Sequence, residues 1–405
     1  MDTETQTITT FTNEAFQRLD ESQYLPCFKR FPVTLEKGHG SWVWDVEGNK
    51  YLDMLAGIAV NSTGHCHPML MAAIKGQVEK IMHTSNFYLN RPQANLGKRL
   101  TELSGLDRVF FTNSGAESVE GAIKIARKYA HRNGRGGNII SFEHCFHGRT
   151  MATIATGKKK MQEGFEPIPT GFHQVPFNDI EAVRNAIDNK TAAIIIEPVQ
   201  GEGGIHMADK KFMKQLRQLC DEENIVLIFD EIQCGIGRTG KMFAKEHFDV
   251  QPDIMTIAKA LGGGMPIGAI LSNEKVSSAI TPGDHGTTFG GNAVACAAGL
   301  AVLDIIHDEN LLDQATEKGI WLRDKFRANG SSDIKEIRGP GLMIGIEFSF
   351  ETKALVQELL NQGVLANATA GNVLRLVPPL NISYDEMEFF MEAFKKAFNK
   401  VKGEA

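Results

Sequence analysis

The stretch Asp253-Ile-Met-Thr-Ile-Ala-Lys259-Ala-Leu-Gly-Gly-Gly264-Met-Pro-Ile-Gly-Ala-Ile270 puts a lysine at the end of an apolar run and follows it with Gly262, Gly263 and Gly264. An ionised amine among apolar groups is costly unless it is paired or gives up its proton. The runs on either side, Ile254–Ile257 and Ile267–Leu271, read as short buried strands. Arg108–Thr112, Asn138–Phe142, Ala192–Ile196 and Ile225–Phe229 have the same character. Longer amphipathic segments, among them Ala116–His131 and Asp209–Glu222, fall between several of them. Continuous apolar strands alternating with amphipathic helices predict an α/β fold whose sheet is mostly parallel and covered by helices on its faces.

The flanks read differently. Ser41-Trp-Val-Trp-Asp-Val-Glu-Gly-Asn-Lys-Tyr-Leu52 alternates around Gly48 and Asn49 and predicts a β-hairpin. Beyond about residue 305 helix and strand are mixed, with strand-like Gly341–Phe348 and Val373–Val377. A chain of 405 residues exceeds the usual size of one hydrophobic core. The expected division is an N-terminal arm and part of a small domain (1–60), a large domain (61–305) and a C-terminal small α+β domain (306–405).

Hydrophobic and charged contents of 42% and 23% are those of ordinary soluble globular proteins. A formal net charge of −6 gives no electrostatic footprint for nucleic acid or an anionic membrane, and Lys158-Lys159-Lys160 reads as a solvated loop. The small-residue run Ala293–Leu303 is too short to span a bilayer. The polar, acidic opening MDTETQTITTFTNEAF differs from a signal peptide, so a cytoplasmic protein is expected. Six scattered cysteines without a C-x-x-C pair predict reduced thiols. His65-Cys66-His67 and His144-Cys145-Phe146-His147 lack the paired spacing of zinc sites, so no metal is expected.

In an open α/β sheet, ligands gather at the carboxyl ends of the strands. Behind Arg108–Thr112 stands Asn113-Ser114-Gly115-Ala116-Glu117, where Ser114 and Glu117 form an S-x-x-E capping box. Free N–H groups at that helix start suit a phosphate, and a plain cap is the other reading. Behind Ile225–Phe229 stand Asp230, Glu231, Ile232 and Gln233; a buried Asp230 calls for a cation, a protonated heterocycle or a structural ion pair. Behind Asn138–Phe142, Phe146, Gly148 and Arg149 offer a stacking ring and a carboxylate clamp, or packing and a surface charge. Lys259 closes the set. A phosphate cradle, an acid for a ring nitrogen, a stacking face and a desolvated lysine together match what pyridoxal 5′-phosphate requires.

The motifs resemble those of the class III aminotransferases, pyridoxal-phosphate enzymes of fold-type I. The resemblance runs from Gly38-His-Gly-Ser-Trp-Val-Trp-Asp45 through Gly64-His-Cys-His-Pro68, Asn113-Ser-Gly-Ala-Glu117, Phe146-His-Gly-Arg-Thr150, Glu197-Pro-Val-Gln-Gly-Glu-Gly-Gly204 and Phe229-Asp-Glu-Ile-Gln-Cys-Gly-Ile-Gly-Arg-Thr-Gly240. It continues to Thr287-Thr-Phe-Gly-Gly-Asn292 and Leu374-Arg-Leu-Val-Pro-Pro-Leu380. It implies that Lys259 carries the cofactor and shuttles the proton, that Asp230 keeps the ring nitrogen protonated, that Gln233 touches the ring hydroxyl and that Phe146 stacks on the ring. Ser114, Gly115 and Ala116 would hold the phosphate, Glu231 and Ile232 would adjoin the cofactor, and Thr288 would come from the neighbouring subunit of a homodimer.

Within the family the sequence is most similar to members acting on N-acetylornithine with 2-oxoglutarate and glutamate, in arginine biosynthesis. That similarity implies that Arg149 grips the substrate carboxylate with Thr287 nearby, and that Glu202 pairs with Arg375 until a diacid opens the pair. Phe87 and Leu89 stand where an aromatic-rich run is more usual, at the substrate entrance. Members acting on ornithine, succinylornithine or 4-aminobutyrate share most of the catalytic set. A dinucleotide oxidoreductase is the reading from another class, since Gly235-Ile-Gly-Arg-Thr-Gly240 matches G-x-G-x-x-G; but Asp230–Cys234 intervenes after the strand.

Overall fold

The computed structural model describes residues 12–403. Residues 1–11, which include most of the polar opening and the start of the expected N-terminal arm, lie outside the described residues.

A seven-stranded sheet occupies the centre, in the order Arg108–Thr112, Gly268–Ser272, Ile254–Ile257, Val226–Asp230, Thr191–Ile196, Asn138–Phe142, Phe172–Val175. Its strands split their side chains by alternation. Val226 and Ile228 pack with Val119, Ile123 and Ala126 of helix Gly115–Arg132, whereas Leu227 and Phe229 join the core that holds Phe212, Leu216 and Leu219 of helix Lys210–Glu222. Burial on both faces is why these strands read as unbroken apolar runs.

One strand departs from the expected parallel arrangement. Gly268–Ser272 runs antiparallel to both neighbours, while the other adjacent pairs are parallel. The chain between Ile257 and Gly268 turns through the short Lys259–Gly262 3₁₀ helix and the left-handed Gly263 and Gly264, too short a link for a parallel crossover. The reversal brings Met265, Pro266 and Ile267 to the same rim as the carboxyl ends of the parallel strands.

A second sheet joins the two ends of the chain. Leu35–His39, Trp42–Asp45 and Lys50–Asp53 form an antiparallel meander that includes the expected hairpin, and Val364–Leu365 adds in parallel to Lys50–Asp53. A third, antiparallel sheet has the order Ile334–Arg338, Ile344–Phe348, Val373–Leu376, Asn367–Thr369. Phe348 packs there against Phe394 and Phe398 of helix Tyr384–Lys402.

The glycine-rich Gly235–Gly240 run opens no helix. It forms a turn that buries Arg238, whose guanidinium donates to the carbonyls of Leu342 and Pro378 and to Ser62 Oγ. Arg238 therefore ties the turn to the C-terminal region. Among the described residues, no helix is long and apolar enough to cross a membrane.

Candidate active site

A cavity of about 400 Å³ lies at the carboxyl rim of the central sheet, and Ser114, Gly115, Ala116, Phe146, Arg149, Asp230, Ile232, Gln233 and Lys259 all line it. Each comes from the segment leaving a strand, so the sheet brings together residues far apart in the chain.

Ser114 caps helix Gly115–Arg132 by accepting the Glu117 N–H at 3.2 Å. The expected capping box is only half formed. The Glu117 carboxylate takes the N–H of Asn113 at 2.8 Å and its side-chain amide at 2.9 Å, and so does not return to Ser114. The first N–H groups of the helix stay directed at the cavity end, where the positive dipole end favours an anion. A Cβ on residue 115 would lie 2.9 Å from the Ile232 side chain, so the backbone approaches closely here only because residue 115 is glycine.

Asp230 ends its strand buried. Its Oδ2 lies 2.6 Å from His147 Nδ1, and its Oδ1 accepts the Ile232 N–H at 3.1 Å. Burial alone disfavours the imidazolium, but the Cys145 sulfur and the Asp230 carboxylate outweigh it and hold His147 well above the usual imidazole range. His147 and Asp230 thus form a buried pair, and both line the cavity.

Glu231 turns the other way. Its oxygens accept the N–H groups of Ala244 and Lys245, the latter at 2.8 Å, at the start of the Ala244–His247 3₁₀ helix. It does not line the cavity. Successive residues leaving a strand point to opposite sides, and Asp230 takes the cavity side.

Lys259 sits in left-handed backbone, φ 38°, a conformation that a non-glycine residue holds only where its surroundings impose it. Burial lowers its ammonium to about 8, with Arg375 helping and Glu202, Asp230 and Glu197 opposing. At neutral pH part of the population is a free amine.

The Phe146 ring faces the cavity, with the exposed Arg149 guanidinium 5.4 Å from its centroid. Arg375 is fully buried in the third sheet. It pairs with Glu202 and donates to Gln233 Oε1 at 3.1 Å, Gly201 O at 3.3 Å and Asn367 Oδ1 at 3.1 Å. Burial works against the Glu202 charge, but Arg375 holds its carboxyl below the usual range. The Glu202–Arg375 pair adjoins the cavity through Gln233 rather than lining it.

Thr287 lines a different cavity, and its Oγ1 accepts from Asn113 at 3.3 Å and from the Gly290 N–H at 3.1 Å. Thr288 is exposed and outside the Lys259 cavity of its own chain. Glu197 and His147 do line it, although the motifs that contain them assign neither a role. Glu197 carried a legible signal: a carboxylate directly behind the apolar Ala192–Ile196, the same signature as Asp230.

The class-III aminotransferase profile matches residues 27–398. The chain belongs to the class-III aminotransferases. It is 53% identical over 389 residues to the acetylornithine aminotransferase of Methanocaldococcus jannaschii, covering 95% of this chain and 98% of that one. It matches the ornithine aminotransferase of Toxoplasma gondii, a structure with partial occupancy of pyridoxal phosphate at its active site, with a TM-score of 0.94 and 35% identity over 98% of this chain and 96% of that one. The acetylornithine aminotransferase of Elizabethkingia anophelis gives 0.86 and 35% identity over 96% of this chain and 100% of that one.

The family's cofactor is pyridoxal phosphate, and the cavity of this aminotransferase fits it. A glycine-faced helix start suits the phosphate, a buried carboxylate suits a protonated ring nitrogen, and a lysine with lowered proton affinity suits the aldehyde.

Proposed function

We propose that this aminotransferase transfers the distal amine of N-acetylornithine to 2-oxoglutarate, giving N-acetylglutamate semialdehyde and glutamate. The observation that carries the proposal is the pairing state of two arginines. Arg149 is exposed at the cavity rim and has no carboxylate partner among the described residues, whereas Arg375 is closed by Glu202. N-acetylornithine presents one carboxylate, its α-amine being neutralised by the acetyl group, and needs one open arginine. A diacid needs a second, which the Glu202–Arg375 pair supplies when Glu202 swings away. The 53% identity to an acetylornithine aminotransferase supports the same substrate.

When bound, pyridoxal phosphate supplies the aldehyde that takes up the amine and a ring that stabilises the electron pair left on the reacting carbon. Ser114, Gly115 and Ala116 would hold the phosphate. Asp230, with His147 behind it, would face the ring nitrogen, Phe146 and Ile232 would adjoin the ring, and the Gln233 amide would serve the ring hydroxyl. Lys259 would anchor the cofactor and serve as the proton carrier; its lowered proton affinity lets it act as a base near neutral pH.

The working unit in this proposal is a homodimer in which Thr288 of each chain completes the phosphate site of the other. Phe87, Leu89 and Phe289, exposed at 94%, 98% and 60%, form apolar surface suited to a second copy. A cytoplasmic place in arginine biosynthesis goes with the substrate.

Ornithine is the second reading, favoured by the TM-score of 0.94 to an ornithine aminotransferase. A panel of N-acetylornithine, ornithine, succinylornithine and 4-aminobutyrate with 2-oxoglutarate decides between them. The highest kcat/KM is expected for N-acetylornithine, and an equal or higher value for ornithine or 4-aminobutyrate overturns the assignment.

A further inference from the structure

Glu197 follows strand Thr191–Ile196 and is almost wholly buried. Its Oε1 accepts the N–H of Phe146 at 2.8 Å and its Oε2 accepts the N–H of Gly201 at 3.0 Å. Those donors belong to different working parts. Phe146 presents the ring that faces the cavity, and Gly201 begins the turn carrying Glu202. The Gly201 carbonyl in turn accepts from Arg375 Nη1 at 3.3 Å, and a Cβ at residue 201 would lie 2.4 Å from the Gln233 side chain. Farther along, Thr369 Oγ1 donates to the Glu202 carbonyl at 2.6 Å and Arg338 Nε donates to that of Gly204 at 2.8 Å. These contacts hold the backbone of the turn at Gly201, Glu202 and Gly204, while the Glu202 side chain pairs with Arg375.

We infer that Glu197 is a positioning residue whose single carboxylate fixes the Phe146 segment and the Gly201-Glu202 turn at one separation, holding the stacking side of the cavity aligned with the Glu202–Arg375 pair. The roles of Phe146 and Arg375 in this inference rest on the function proposed above. The chemistry requires a carboxylate of this length. Two N–H donors approaching from different segments need two acceptor atoms on one planar group. Glutamine offers one oxygen and one NH₂, which leaves a buried N–H facing another donor. Aspartate keeps two oxygens but is one methylene shorter, and from the same backbone position it cannot meet both donors.

Glu197→Gln and Glu197→Asp test this against the wild type. In the apoprotein, amide hydrogen exchange should speed up in at least one of the segments holding Phe146 and Gly201 in each variant, by about tenfold for one lost buried hydrogen bond. In the loaded enzyme, the dissociation constant for pyridoxal phosphate and the KM for 2-oxoglutarate should each rise about tenfold, with a smaller fall in kcat. A merely structural carboxylate would lower the melting temperature and leave the constants of the folded enzyme unchanged. Unchanged exchange in both segments, wild-type constants in both variants, or full rescue by aspartate would each overturn the inference.

If neither variant folds, the wild-type apoprotein decides. The amides of Phe146 and Gly201 should show matching protection, and a difference beyond about a hundredfold would contradict a shared clamp. The exchange measurement involves neither cofactor nor substrate. A wild type that ignores N-acetylornithine would therefore refute the proposed function without bearing on the clamp.

Discussion

Asp230 Oδ2 and His147 Nδ1 meet at 2.6 Å with both side chains buried, and the far nitrogen of the imidazole, Nε2, has no partner among the described residues. Both side chains line the cavity. In the function proposed above, His147 orients the Asp230 carboxylate that would face a protonated ring nitrogen. Replacing His147 with Phe should lower kcat by about 10- to 100-fold, the range for weakening one charge-assisted contact at the reacting group, while the cofactor stays bound. Single-turnover kinetics with N-acetylornithine measure this. An unchanged rate would show that the imidazole only fills space.

Lys259 should capture the cofactor only as a free amine. With its proton affinity lowered to about 8 by burial, the rate of pyridoxal phosphate uptake by apoprotein should rise with pH through a midpoint near that value. The sign follows from the depressed value: at about pH 7.5 roughly a quarter of the amine is neutral, against about one in a thousand for an ordinary lysine. Stopped-flow absorbance follows the uptake, and a midpoint in the ordinary lysine range would contradict the desolvated setting.

Breaking the Glu202–Arg375 pair should change which substrate the enzyme prefers. Glu202→Ala leaves Arg375 permanently available, so the ratio of kcat/KM for glutamate to that for N-acetylornithine should shift by about tenfold toward glutamate, the scale of one hydrogen bond to a charged group. Half-reaction kinetics with each donor give the ratio. An unchanged ratio would mean that the pair does not sort monoacid from diacid.

Glu231 should matter to stability rather than to the cofactor. Glu231→Gln puts an NH₂ against one of the buried N–H groups of Ala244 and Lys245, at a cost of about 1–3 kcal/mol. Denaturant unfolding should show this loss with an unchanged dissociation constant for pyridoxal phosphate. A weakened cofactor constant at full stability would reassign the residue to the site.

The sequence disclosed the parts of the fold in which burial is uniform. Strands such as Val226–Asp230 are covered on both faces, so their apolar runs are continuous, and an acid or amine directly behind one stands out. Asp230 and Lys259 were legible for that reason. Phe172–Val175 was not, because an edge strand tolerates the polar His173 and Gln174. The direction of Gly268–Ser272 depended on the length of a connection rather than on residue type.

Side-chain direction was the other hidden variable. Asp230 and Glu231 look alike as neighbours in sequence, and only the exit geometry of the strand sends one to the cavity and the other to a backbone cap. His147 had no periodicity to mark it. The reach of Glu197 to both Phe146 and Gly201 became visible only when two distant segments were folded side by side.

The central claim is that Lys259 carries pyridoxal phosphate in the cavity that Asp230 closes. Borohydride reduction of the yellow holoenzyme, followed by peptide mapping, tests it most directly. A pyridoxyl phosphate group fixed on Lys259, and absent from the Lys259→Ala protein, is the predicted result; an unlabelled wild type, or a label on another lysine, would contradict it.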